Sequence, residues 1–134
     1  GTACGPLGRD TFAADWKNAA GENVDDKVRM YRGPSHCAWE DVVFLDLGWP
    51  LGRSLDPPRD AGRQYVRDPN AVLPRDVFLG ELDLDARLPR QARDTGYRAG
   101  ELELWIGDDA ERYVYVVRGD DVERWPRTRP FGCA

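Results

Sequence analysis

The stretch that decides the fold is Glu101-Leu102-Glu103-Leu104-Trp105-Ile106, followed by Tyr113-Val114-Tyr115-Val116-Val117-Arg118-Gly119-Asp120-Asp121-Val122-Glu123-Arg124-Trp125. In the first run Leu102, Leu104 and Ile106 alternate with Glu101, Glu103 and Trp105, the period of two that lays one face of a strand on a core. Gly107 to Ala110 make a turn, and Tyr113, Tyr115 and Val117 then alternate with Val114 and Val116. Gly119-Asp120 offers the leading glycine of a two-residue type II′ turn, which returns the chain through Val122 to Trp125. A three-stranded antiparallel meander follows. Pro126 and Pro130 lack the N–H that a ladder needs, so central pairing is expected to end there, with Cys133 reached by an extended or edge segment.

Working outward, Val42 to Leu47 is rich in apolar residues and reads as a buried strand, and Gln64 to Arg67 as a short strand ending at Asp68-Pro69-Asn70. Val77 to Leu84 reads as another strand, with Phe78, Leu82 and Leu84 on one face and Glu81 and Asp83 on the other, closed by Leu88-Pro89. Glu22 to Tyr31 fits both periods, and its second half is read as strand. Asp10 caps an expected short helix, Thr11 to Ala20, with Phe12 and Trp16 on one face and Gly21 as its stop. The expectation is a mainly β, α+β chain: an antiparallel curled sheet or small barrel with one short N-terminal helix. A parallel sheet would need crossover helices that the sequence lacks. Residues 1–9 read as a flexible tether and 10–134 as a single β-rich domain.

At 134 residues, with 41% hydrophobic and 32% charged residues and five tryptophans, the chain can bury a core of its own. No apolar run approaches the ~18 residues of a membrane span. Seventeen arginines against two lysines resemble coding by GC-rich DNA and carry no chemistry. The net charge of −5 is spread over both halves, which disfavours a nucleic-acid footprint.

Cys4, Cys37 and Cys133 form no CxxC pair and the chain has one histidine, His36, so no metal site is expected. A bridge at Cys133 would tie down a tail that otherwise frays, and Cys37 is its favoured partner, with Cys4–Cys37 and Cys4–Cys133 open. Closing a loop of about 96 residues removes unfolded-state entropy worth roughly 4 to 5 kcal/mol, and such bonds persist outside the reducing cytosol. Thr2-Ala3-Cys4-Gly5 looks like the tail of a bacterial lipobox, with Gly1 where that box carries Leu; the rival reading is a fortuitous N-terminal thiol. A lipid on Cys4 would anchor the domain through its buried CH₂ groups.

Few residues invite catalysis. His36 beside Cys37 and Trp39 would need a nucleophile in reach, or a free Cys37 with Glu40 or Asp41, and it fits a turn better. Asp25-Asp26, Glu40-Asp41, Asp108-Asp109 and Asp120-Asp121 are explained by turn chemistry before any glycosidase-like pair. Arg118-Gly119-Asp120 falls on a hairpin corner that wants Gly and Asp anyway, and Arg124 beside Trp125 suggests a cation–π pair. No phosphate-cradling loop, GxSxG or HExxH occurs, and no cofactor is expected. The Pro- and Gly-rich segment Gly48 to Gly62 is the longest irregular one; it offers Trp49, with Arg53 and Arg59, as binding candidates.

Gly33-Pro34-Ser35-His36-Cys37-Ala38-Trp39, Tyr65-Val66-Arg67-Asp68-Pro69, Glu123-Arg124-Trp125-Pro126 and Gly132-Cys133 resemble the pattern of small uncharacterised surface or secreted proteins, often lipoproteins, of actinobacteria, over most of residues 24–134. The resemblance implies a location that is extracellular or at the outer face of the cytoplasmic membrane and a Cys37–Cys133 bridge, and supplies no catalytic residue. The expectation is a non-enzymatic extracytoplasmic binding or protein-interaction domain with a protein or cell-envelope partner, touching membrane only through Cys4. The rivals are a small secreted hydrolase using carboxylates or His36, and a secreted structural or inhibitory protein.

Overall fold

The computed structural model describes residues 15–48 and 63–132. Among these, the strands are β1 (Val28–Arg32), β2 (Val43–Leu47), β3 (Arg63–Arg67), β4 (Arg93–Ala99), β5 (Leu102–Ile106), β6 (Tyr113–Arg118) and β7 (Asp121–Thr128). They form one antiparallel sheet in the order β1-β2-β3-β7-β6-β5-β4, curled into a half-barrel. The chain is thus mainly β, as its alternation predicts. Two meanders meet where β3 joins β7, a contact limited to Gln64↔Thr128 and Tyr65↔Arg127. The β6–β7 corner is the expected tight hairpin: Arg118 pairs with Asp121, and Gly119 takes φ +60 while Asp120 stays out of the left-handed region.

The concave side holds the main core. Val28, Val43, Leu45, Tyr65, Leu102, Leu104, Val114, Val116 and Trp125 point into it, each the inward member of its strand's alternation. Trp16 and Val24 complete it from a short hairpin, bridged at Lys17↔Asn23, that precedes β1 and also bridges to β4 at Lys17↔Arg98. Lys17 N–H donates to Arg98 O at 2.7 Å and Arg98 N–H returns the bond at 2.8 Å, while Val28 N–H donates to Val24 O. On the convex side of β1–β3 a second cluster, Val42, Phe44, Val66 and Leu73, is covered by Tyr31, Trp39, Phe78 and Phe131. Trp39 and Phe131 lie 5.4 Å apart between ring centroids, which pins the C-terminal segment over the 3-10 turn Ser35–Cys37.

Several expectations are corrected. Residues 15–20 are not helical: the backbone of Lys17 is spent on β4, whose outer edge would otherwise lie bare, and 11–14 lie outside the described residues. Val77 to Leu84 is not a strand. It opens in the 3-10 turn Arg75–Val77 and continues as an irregular strap that meets β7 only at Phe78↔Thr128 and Asp83↔Arg124. Pro126 does not end β7, which runs on to Thr128. Opposite β6 it occupies a pair with Tyr113 whose N–H points away from β6, so that ladder loses nothing.

Candidate functional site

The consequence of Pro126 falls on the other edge of β7. Alternation aims its absent N–H toward β3, where a next pair with Val66 would require it, and the two strands part after Tyr65↔Arg127. The strap fills the breach. It leaves the β6 side of β7, where Leu79 N–H donates to Arg127 O at 2.8 Å. It then crosses the convex face beside Pro126 and regains β7 on the β3 side, where Asp83 and Arg124 exchange both backbone bonds at 2.8 and 3.0 Å. Leu82 drops from the strap against the main core.

Two aromatic-cationic contacts hold the crossing. The Tyr113 ring sits so close beneath Gly80 that a Cβ there would stand 2.5 Å from its hydroxyl. The Arg124 guanidinium lies 4.2 Å over the same ring and donates through Nη2 to Glu81 O at 3.1 Å. The cation–π partner of Arg124 is therefore Tyr113 and not Trp125, whose side chain points inward from the neighbouring position.

Between this strap and the loop after β3 lies an open groove of about 790 Å³, lined by Asp68, Pro69, Arg75, Leu79, Leu84 and Pro126 among others. That volume falls within the about 300–1,000 Å³ common for ligand sites. The far wall is rigid. The Asp68 carboxylate, 1% exposed, accepts from Val72 N–H and Leu73 N–H, each at 2.9 Å, and pairs with Arg75 Nη2. Arg75 also reaches Leu73 O and covers the Phe78 ring. The rim is apolar and exposed at Leu79 and Leu84, two of the three exposed large hydrophobic residues among those described.

A second polar group lies on the convex face, where Arg29, Asp46, Gln64 and Thr128 stand in register across four strands. Burial pushes the Asp46 carboxyl up to about 6, although Arg29 and the Tyr31 hydroxyl both oppose the shift. Burial, with Asp46 beside it, raises Tyr31 to about 12. Between β5 and β6, Tyr115 donates to Asp109 Oδ2 at 2.6 Å, and burial together with Asp109 raises that phenol.

Of the residues singled out from sequence, Trp49, Arg53 and Arg59, and also Cys4 and Cys133, lie outside the described residues. Cys37 is disulfide-bonded. His36 is exposed on its 3-10 turn, and Arg118 of the Arg-Gly-Asp corner is paired with Glu101 at 2.8 Å. Sequence reasoning missed the groove because its walls come from a segment read as an ordinary strand. The available signals were Gly80 within that segment and a proline inside the β7 alternation. Among the described residues no three His, Cys, Asp or Glu side chains converge as metal ligands, and no helix is long and apolar enough to cross a membrane. No family model, curated protein or solved structure matches the chain.

Proposed function

We propose that this chain is a non-enzymatic binding or protein-interaction domain that works in an extracytoplasmic compartment, and that the groove between the strap and the loop after β3 is where it takes hold of its partner. The observation that carries the reading is the groove's make-up: exposed Leu79 and Leu84 beside a fixed polar wall in which Asp68 and Arg75 are committed to each other and to backbone. Exposed apolar rims on a rigid concave scaffold suit recognition. The disulfide at Cys37 supports the compartment, since such bonds persist where thiols are not kept reduced. The packing of Phe131, two residues before Cys133, on Trp39, two residues after Cys37, supports Cys133 as the partner sulfur. A lipid on Cys4 would hold the domain at the outer face of the membrane.

The test is photo-crosslinking capture from envelope preparations of the source organism, comparing the intact chain with a Leu79→Asp/Leu84→Asp double variant. Both sites are exposed, so the fold should tolerate the change. Loss of a specific captured species with the variant supports the reading; capture of the same species at equal yield overturns it.

A further inference from the structure

The chain that carries the strap on to β4 holds its charge in two blocks. Glu81 and Asp85 come before Ala86, Arg87, Arg90 and Arg93 come after it, and all five are exposed. Among the described residues none of the five forms an ion pair. Arginines elsewhere are matched to acids, Arg98 to Asp94 at 2.6 Å and Arg118 to Glu101 at 2.8 Å. Asp83, between the two acids, is spent locally, its Oδ1 accepting from Asp85 N–H at 2.9 Å. The blocks sit on a fixed support. Asp83 is bridged to Arg124, the chain bends at Leu84-Asp85, and Ala86 N–H donates to Val122 O at 2.9 Å. Ala92 N–H then closes a turn on Pro89 O at 3.0 Å before Arg93 enters β4 opposite Ile106.

The order of residues about Ala86 adds a second constraint. In Leu84-Asp85-Ala86-Arg87-Leu88 a leucine stands two places to either side of the alanine and opposite charges stand one place to either side. In an isologous contact a segment meets its own copy run in reverse. Reversal about Ala86 sets Asp85 against Arg87 of the second copy and Arg87 against its Asp85, with Leu84 toward Leu88 on both sides and Glu81 toward the outer arginines. Contact in the same direction would set like charges together, so complementarity fixes the orientation. Ala86, small and half-buried, lets the two chains approach at the axis.

We infer that this segment is a self-recognition surface, through which two copies of the chain associate about a twofold axis at Ala86. Exposed ion pairs are individually weak and are screened by salt, so the association is reversible and strongest at low ionic strength. The inference does not rest on what the groove binds: a chain that stays monomeric yet captures an envelope partner would overturn it and leave that reading intact.

Sedimentation equilibrium of the intact chain tests this, with two charge-reversed forms, Glu81→Lys/Asp85→Lys and Arg87→Glu/Arg90→Glu. The parent should dimerise at low salt and at least tenfold more weakly at high salt. Each reversed form alone should associate at least tenfold more weakly than the parent, and an equimolar mixture of the two should recover the affinity, because each then meets opposite charge at both blocks. A reading free of substitutions comes from the 15N spectrum of the parent, whose concentration-dependent shifts should be confined to residues 81–93 and their neighbours on β7 and β5. A parent that is monomeric at every concentration and salt, reversed forms that dimerise as the parent does, a mixture that recovers nothing, or shifts centred elsewhere would each overturn the inference.

Discussion

Arg67 Nε donates to Glu123 Oε1 at 2.7 Å inside the barrel, joining β3 to β7 by side chains just where their backbones have parted. Glu123 is 0% exposed and also accepts from Trp125 Nε1 at 2.9 Å. Removing one partner strands a buried charge, so Arg67→Met or Glu123→Leu alone should cost about 3–5 kcal/mol. The double variant removes both charges and should cost less than the sum by on the order of 2 kcal/mol. Urea unfolding of the four proteins measures this coupling, and strictly additive costs would show that the pair does not act as a unit.

The Asp46 carboxyl makes stability depend on pH in an uncommon direction. Its ordinary value of 3.8 rises to about 6 in the fold, so the folded chain holds this proton more tightly than the unfolded one. Stability therefore falls as pH climbs from about 4 to about 6, by on the order of 2 kcal/mol, and the loss is complete above that window. Asp46→Asn keeps an acceptor for the Tyr31 hydroxyl and removes the titration. The difference in Tm between variant and parent should be small at pH 4 and favour the variant at pH 7.5; a constant difference across that range would refute the assignment.

Gly80 is required by the approach of Tyr113, whose hydroxyl would stand 2.5 Å from a Cβ at that position. Gly80→Ala forces the ring or the strap to move and should cost about 1–3 kcal/mol. In a Tyr113→Leu background the phenol is gone and the same substitution should become nearly neutral. Equal penalties in both backgrounds would place the strain elsewhere on the strap.

The meander β5-β6-β7 was legible because each strand alternates cleanly and Gly119 marks the corner. β4 was not, because Arg93-Asp94-Thr95-Gly96-Tyr97-Arg98-Ala99 is polar and broken by Gly96, at φ +83, where the register with β5 shifts. Its inward positions are supplied late, by Tyr97 and Ala99, and its outer edge is met by Lys17 from far along the chain. Pro126 misled in the opposite sense. Proline reads locally as a stop, yet its place in a pair that needs no N–H toward β6 is fixed by the two-residue turn at Gly119, which only the register reveals. The groove follows from that register and so was beyond local reading, although Leu82 and Leu84 alternating with Glu81 and Asp83 were visible as a pattern.

Trp39 and Phe131, 5.4 Å apart, bring the chain on either side of Cys37 and Cys133 together, and Phe44 lies 6.2 Å from Phe131 beneath them. If Cys37 is bridged to Cys133, intact mass after alkylation without reductant should report one modifiable thiol, Cys4, and peptide mapping should recover the two bridged cysteines in one fragment. Cys37→Ser and Cys133→Ser should each destabilise by about 2–5 kcal/mol, with the double variant no worse than either single one, since the same bond is lost. Once the bridge is absent, Phe131→Ala should loosen the covering of Phe44 further, and near-ultraviolet circular dichroism of the Trp39 environment would register it. Labelling of all three thiols on folded chain would remove the bridge, and with it the physical argument for an oxidising compartment.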